Sequence, residues 1–213
     1  MNEQVIEHDV PSRPPRDESV LAALRASTRP LHDRIEALLA LDGAMPLQRY
    51  RAIIAGFHGF LVRWEQEIGA ALPARLHGWF AARGRARFAQ ADLAYLNDMG
   101  DTVPMSPAPS VAAAGGLPDD SLASVFGSLY VIEGSALGGQ VIVPRLARDM
   151  GLVPGQGASY FHGHGERTGA MWLDFRQRAV AEIGADPARR HAACHAAGQT
   201  FSALIATFEP LLA

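Results

Sequence analysis

Lysine is missing altogether: all 19 basic residues in this chain of 213 are arginine. Any anion site must therefore be built from guanidinium forks, which grip carboxylates with two parallel hydrogen bonds. Cysteine occurs once, at Cys194, which excludes an internal disulfide and suits a reducing compartment. No apolar run approaches the length of a membrane span. The first 16 residues carry acids, His8, Pro11, Pro14 and Pro15 rather than the apolar core of a signal peptide. A cytoplasmic protein away from membranes is the expectation. Charge is also sparse, with 19% charged residues and a formal net charge of -3, so nothing argues for a nucleic-acid partner. Period-two alternation flanked by turn residues is absent, as is any internal repeat, which excludes sheet architectures and solenoids.

What the chain does contain is helical periodicity. With 48% hydrophobic residues it can bury a substantial core. Residues 1–16 read as a disordered leader, and residues 17–213 as one all-α domain. Val20, Leu21, Leu24, Leu31, Ile35, Leu38 and Leu39 recur at helical spacing until Asp42-Gly43 stops the helix. Pro46 opens a second helix through Tyr50, Ile53, Ile54, Phe57, Phe60, Leu61, Trp64 and Ile68. Short helices follow after Pro73 and from Phe88 to Met99. The proline- and glycine-rich stretch 100–119 reads as a connecting loop. Ser121 to Met150 reads as one long helix rich in small residues, and 151–165 as a glycine-rich loop. Two last helices are expected at 166–183 and 187–212.

Two segments stand out as carriers of chemistry. On the first helix, His32 is followed one turn later by Glu36 and preceded two turns earlier by Arg25, all on one face. A carboxylate at that spacing can accept the outer imidazole proton and raise the ring's basicity as a metal ligand; an amphipathic surface histidine fits the same segment. The second is Tyr130-Val-Ile-Glu-Gly134-Ser135-Ala-Leu-Gly138-Gly139. Each helical glycine costs about 1 kcal/mol relative to alanine. Either close helix packing, with Gly134 and Gly138 sharing a face, or a bend that admits a flat cofactor must account for the cluster. Phe175-Arg176-Gln-Arg178, with Phe201 and Phe208 on the final helix, suits both a carboxylate-binding aromatic wall and a solvated charge run over core rings. Gly163-His-Gly-Glu-Arg-Thr-Gly169 has the wrong spacing for a dinucleotide fingerprint and no strand before it. The pairs His162/His164 and His191/His195 have no evident third ligand, His58 reads as a packed histidine, and no distinctive motif surrounds Cys194.

Taken in order, these segments resemble the haem oxygenase family from about Val20 to Leu212. Leu24-Arg25 to Leu31-His32 is similar to that family's proximal helix, and Tyr130 to Gly139 to the distal-helix signature of its bacterial members, including those that supply biliverdin to bacterial phytochromes. The resemblance implies an all-α fold holding haem b, at once cofactor and substrate, between the two helices. His32 is then the iron ligand, with Glu36 behind it. Arg25 and Arg176, with Arg178, meet the propionates; Tyr130 and Phe201 line the pocket; Ser135, Gly138 and Gly139 form the distal, catalytic side. The implied reaction opens the haem at a meso carbon to biliverdin, iron and CO, using O2 and electrons from a ferredoxin or flavin reductase, with a bacteriophytochrome as a conceivable acceptor of product. One departure concerns protons: the distal stretch Ser135-Ala-Leu has no carboxylate where the animal-type enzymes carry an aspartate. Two rivals differ in class. One is a haem carrier or sensor that keeps the pocket without turnover, and the other a thiaminase-type hydrolase of the same fold using Cys194.

Overall fold

The computed structural model describes residues 16–99, 117, 119 and 121–212, with side chains from Val20 onward. Among the described residues the chain is all-α, in nine helices: α1 Arg16–Leu39, α2 Leu47–Ala71, α3 Ala74–Ala81, α4 Ala86–Met99, α5 Leu122–Ser135, α6 Gly139–Met150, α7 Ser159–His162, α8 Thr168–Ile183 and α9 Pro187–Leu212. Two 3-10 turns, Ala136–Gly138 and Gly165–Arg167, join α5 to α6 and lead into α8. The only other pairing among the described residues is a pair of isolated bridges at Val153. The expected leader and most of the 100–119 loop fall outside the described residues.

Local chemistry sets the boundaries. α2 begins after Pro46 and ends at Leu72, both extended, because the residue before Pro73 is pushed out of the helical region. Its buried stripe, from Tyr50 through Ile53, Ile54, Phe57, Phe60, Leu61 and Trp64 to Ile68, has the spacing of one helix face. Ser121 caps α5 by accepting the Ser124 amide at 3.2 Å, and the left-handed Gly151, φ 68°, closes α6. α1 ends at Leu39, with Ala40 at φ 47°, three residues before the expected Asp42-Gly43 stop.

At the centre of the fold α9 is flanked by α5 and α1, with α2 also against it, and α8 packs on both α1 and α5. Close approach of α5 to α9 depends on Gly127: a Cβ there would lie 2.0 Å from the Ala193 carbonyl oxygen. On α2, Gly56 makes room for the Phe208 ring in the same way, at 2.5 Å.

Three expectations need correction. The long helix from Ser121 to Met150 is interrupted at Ala136–Gly138. The glycine-rich 151–165 segment contains the single turn α7, because buried Asp92 of α4 accepts the Ser159 and Tyr160 amides at 2.8 and 2.7 Å and so satisfies its free N-terminal donors. Finally, Leu122–Met150, taken as one helical run of 29 residues, is long and apolar enough to cross a membrane. Packing accounts for that composition: α5, its first half, is buried from Ala123 to Leu129 against α9 and α8.

Candidate functional site

His32 lies on the outer face of α1 with its side chain half-exposed. Its Nδ1 stands 3.5 Å from Glu36 Oε2 and 4.0 Å from Asp33 Oδ1. Among the described residues this is the one group of three metal-ligand side chains whose donor atoms lie within 4.8 Å of one another. With Nδ1 turned towards carboxylates, Nε2 remains the nitrogen available to a metal. The Phe201 ring of α9, itself buried, meets the imidazole edge-on at 5.9 Å between centroids.

The interruption after α5 has a definite hydrogen-bond origin. The Ala136 amide bonds to Glu133 O rather than one residue further back, which is the tighter 3-10 pattern. The Ile132 carbonyl is instead taken by Ser135 Oγ at 2.8 Å and Arg85 Nη1 at 3.1 Å. The glycines divide into two kinds. Gly139 is buried, and a Cβ on it would fall 1.9 Å from the Phe161 carbonyl oxygen, so its role is close backbone packing with α7. Gly138 meets only Ile142 of its own helix at 3.6 Å, and Gly134 only the edge of Trp172 at 3.8 Å. The packing reading that paired Gly134 with Gly138 is therefore not what is found: Gly127 and Gly139 do the packing, while Gly134 and Gly138 leave space.

A chain of proximities links the two sides. Arg25 lies two turns before His32 on the same face of α1, close enough for its charge to act on Tyr130. Burial raises the Tyr130 pKa above the ordinary phenol value, and the Arg25 charge opposes that rise. The Tyr130 ring lies 6.0 Å from Trp172, whose edge covers Gly134. On α8, Phe175, Ala179 and Ile183 form the buried stripe, and the arginines flank it on opposite sides because residues two apart on a helix differ by about 200°. Arg178 pairs with Asp174 at 3.1 Å and lies over Trp79 at 5.3 Å, whereas no ion pair found among the described residues involves Arg176. Arg176 lies on the flank shared with Trp172, and Arg178 is already engaged by Asp174.

The sequence reading missed the turn Ala82-Arg83-Gly84-Arg85 between α3 and α4. Its two arginines are buried and grip the interrupted helix. Arg85 donates to Ile132 O, to Ser135 Oγ at 2.9 Å and to Tyr160 O at 3.2 Å, and its guanidinium sits 4.5 Å over the Tyr160 ring. Arg83 bonds Glu133 and Asp174, each at 2.6 Å, and Met171 O at 3.0 Å. Glu65 of α2 fixes the turn by accepting the Arg85 and Ala86 amides at 2.6 and 2.8 Å. Burial raises the Glu133 pKa, with Arg83 the largest opposing influence. For Asp174, burial is outweighed by the Trp79 indole N–H and by Arg178 and Arg83, so its carboxyl titrates below the ordinary range. The one available signal was two arginines flanking a glycine in a short interhelical turn, and only tertiary contacts give that pattern meaning.

The other candidates do not assemble into sites. His191 and His195 stack at 6.5 Å between centroids without a third ligand among the described residues. His164 packs edge-on against Phe88 at 5.5 Å, and Cys194 is half-buried against the core.

No curated protein matches the chain. A family model described as heme oxygenase matches residues 18–210, nearly the whole of the described helical array. A match over that much of the sequence shows the family: the chain belongs to the haem oxygenase family.

Proposed function

We propose that this chain is a bacterial-type haem oxygenase, binding haem b through His32 and opening it to biliverdin. The observation that carries this reading is the pairing of an imidazole whose Nδ1 lies 3.5 Å from Glu36 Oε2 with a distal face where Gly134 and Gly138 present no side chain. The residues fit the group: an imidazole nitrogen turned away from the carboxylates, two arginines without an ion pair among the described residues for two carboxylates, and aromatic walls at Phe201 and Tyr130. Bound haem supplies the redox iron and is also the molecule consumed, taking O2 and external electrons and leaving as biliverdin, iron and CO.

The remaining work belongs to the protein. Glu36 orients the His32 ring from the Nδ1 side and leaves Nε2 for the iron. Arg25 and Arg176 hold the propionates with charge-assisted hydrogen bonds. The lack of side chains at Gly134 and Gly138 leaves the distal face open to a small ligand, and Gly139, locked against Phe161, stops that face from drifting. A distal proton is available at Ser135 Oγ. The Ile132 carbonyl has two donors, Ser135 and Arg85, so the hydroxyl can turn towards the open side without leaving a buried acceptor unpaired. Ser135 thus takes over proton handling where no distal carboxylate exists. A ferredoxin or flavin reductase as electron source, a cytoplasmic location and transfer of product to a bacteriophytochrome complete the proposal.

The test is spectroscopic. Protein loaded with haem and given reductant in air should exchange its Soret band for biliverdin absorption, and His32→Ala should abolish the wild-type haem spectrum. A stable haem complex that never turns over would reduce the protein to a carrier or sensor. An unchanged spectrum in His32→Ala would remove the ligand altogether.

A further inference from the structure

Trp172 is not explained by haem ligation or by the buried brace. It lies on α8 with Arg176 one turn later on the same flank, and the opposite flank is pinned, since Asp174 accepts the Trp79 indole N–H at 2.5 Å and the Arg83 guanidinium at 2.6 Å. α8 therefore cannot roll, and its free flank presents an indole and then a guanidinium. The indole is held by its ring alone: it stacks on Phe175 at 5.4 Å and 18°, meets Tyr130 at 6.0 Å and lies 3.8 Å from the Cβ position of Gly134. Trp64 and Trp79 donate their N–H groups to Ser128 and Asp174, whereas no such bond is found for Trp172 among the described residues.

We propose that Trp172 is a specificity-determining residue that fixes how haem is turned within its plane, and hence which meso bridge meets the glycine-lined face. The inference rests on the haem reading above. The haem periphery is uneven, with two carboxylates on one side and methyl and vinyl groups elsewhere. A guanidinium favours a carboxylate, while an apolar ring face disfavours one, because burying a charged group without a partner is costly. With Arg176 and Trp172 about one helical turn apart, a haem whose propionate meets Arg176 places a methyl- or vinyl-bearing pyrrole against the indole. Rotating it by a quarter turn would bring a propionate to the indole or withdraw it from Arg176. Stacking on buried Phe175, which stacks in turn on Phe126 at 6.1 Å, keeps the indole from yielding.

The experiment compares wild type, Trp172→Phe, Trp172→Leu and Trp172→Ala as full-length chains. Haem orientation is read from the proton NMR methyl-shift pattern of the ferric cyanide complex, and the ring-opened isomers are separated chromatographically. Wild type and Trp172→Phe should each show one predominant methyl pattern and one predominant isomer. Trp172→Leu and Trp172→Ala should give mixtures while still binding haem; the leucine variant retains apolar volume should the alanine chain fail to fold. One methyl pattern, the same as wild type, in the leucine variant overturns the proposal. So does a mixture in Trp172→Phe, which would assign the effect to the indole N–H rather than to the wall. Failure of the wild-type protein to take up haem at all would overturn the parent reading, and this one with it; an unaltered methyl pattern in haem-loaded variants sinks only the role of Trp172.

Discussion

Substituting alanine for each of two adjacent glycines should move stability in opposite directions. At Gly139 a Cβ would stand 1.9 Å from the Phe161 carbonyl oxygen, where ordinary contact begins near 3.4 Å. The missing 1.5 Å or so must come from backbone on both sides, since neither atom is the tip of a flexible side chain. α7 resists that shift, because Asp92 holds the Ser159 and Tyr160 amides and Arg85 holds the Tyr160 carbonyl. Overpacking of this kind costs about 1–3 kcal/mol and sometimes more, against about 1 kcal/mol gained from replacing a helical glycine. With a backbone oxygen as the clashing atom the cost lies at the top of that range, so Gly139→Ala should lose roughly 2 kcal/mol net, which in a domain of this size lowers Tm by about 4–8 °C. At Gly138 the added methyl meets only Ile142 of its own helix, at 3.6 Å. Gly138→Ala should accordingly gain up to about 1 kcal/mol and raise Tm by about 2–4 °C. The same methyl narrows the distal face, so Gly138→Ala should bind haem more weakly or turn it over more slowly although its haem-free form is the more stable protein. Thermal unfolding followed by circular dichroism, with haem titrations on the same samples, decides it. A Gly139→Ala protein as stable as wild type, or a Gly138→Ala protein less stable without haem, would refute the division of these glycines into packing and open positions.

Other perturbations test the brace and the pocket. Arg83→Met leaves Glu133 and Asp174 without their shared cation, and breaking a buried pair this way costs about 3–5 kcal/mol; denaturant unfolding should show that Arg83→Met combined with Glu133→Gln costs less than the two single losses added together. His164 titrates below its ordinary value of 6.5, burial being the first cause. The unfolded chain therefore gains the proton first as pH falls, so this contribution to stability is full above about pH 6.5 and is lost on acidification below it. His164→Phe should flatten that part of a pH series of unfolding midpoints, and an unchanged slope would remove His164 as its source. Arg176→Ala should weaken haem binding with little change in Tm, whereas Arg178→Ala, by releasing Asp174 from its ion pair, should act mainly on Tm; reversed outcomes in paired haem titrations and melts would mean that the two flanks of α8 are misassigned.

The linear sequence determined the all-α class, the run of helices and the face shared by Arg25, His32 and Glu36. Such features depend on residues three, four or seven apart, and helical geometry brings those together wherever the helix lies. It also showed that the glycine cluster after Tyr130 needed a reason, but it could not divide the labour within it. Which glycine packs and which leaves space depends on what stands opposite, and Phe161 and Ala193 are distant in the chain. The same limit hid Arg83 and Arg85. A short Arg-Gly-Arg turn looks like solvent-facing charge until folding lays it under the interrupted helix, where burial converts its hydrogen bonds from ones exchangeable with water into ones costly to lose. Arg176 and Arg178 make the point most compactly. Two residues apart, they read as one basic patch, and only the packing of α8, with Trp79 and Asp174 on one flank and Trp172 on the other, separated an arginine paired with Asp174 from one that pairs with no carboxylate among the described residues.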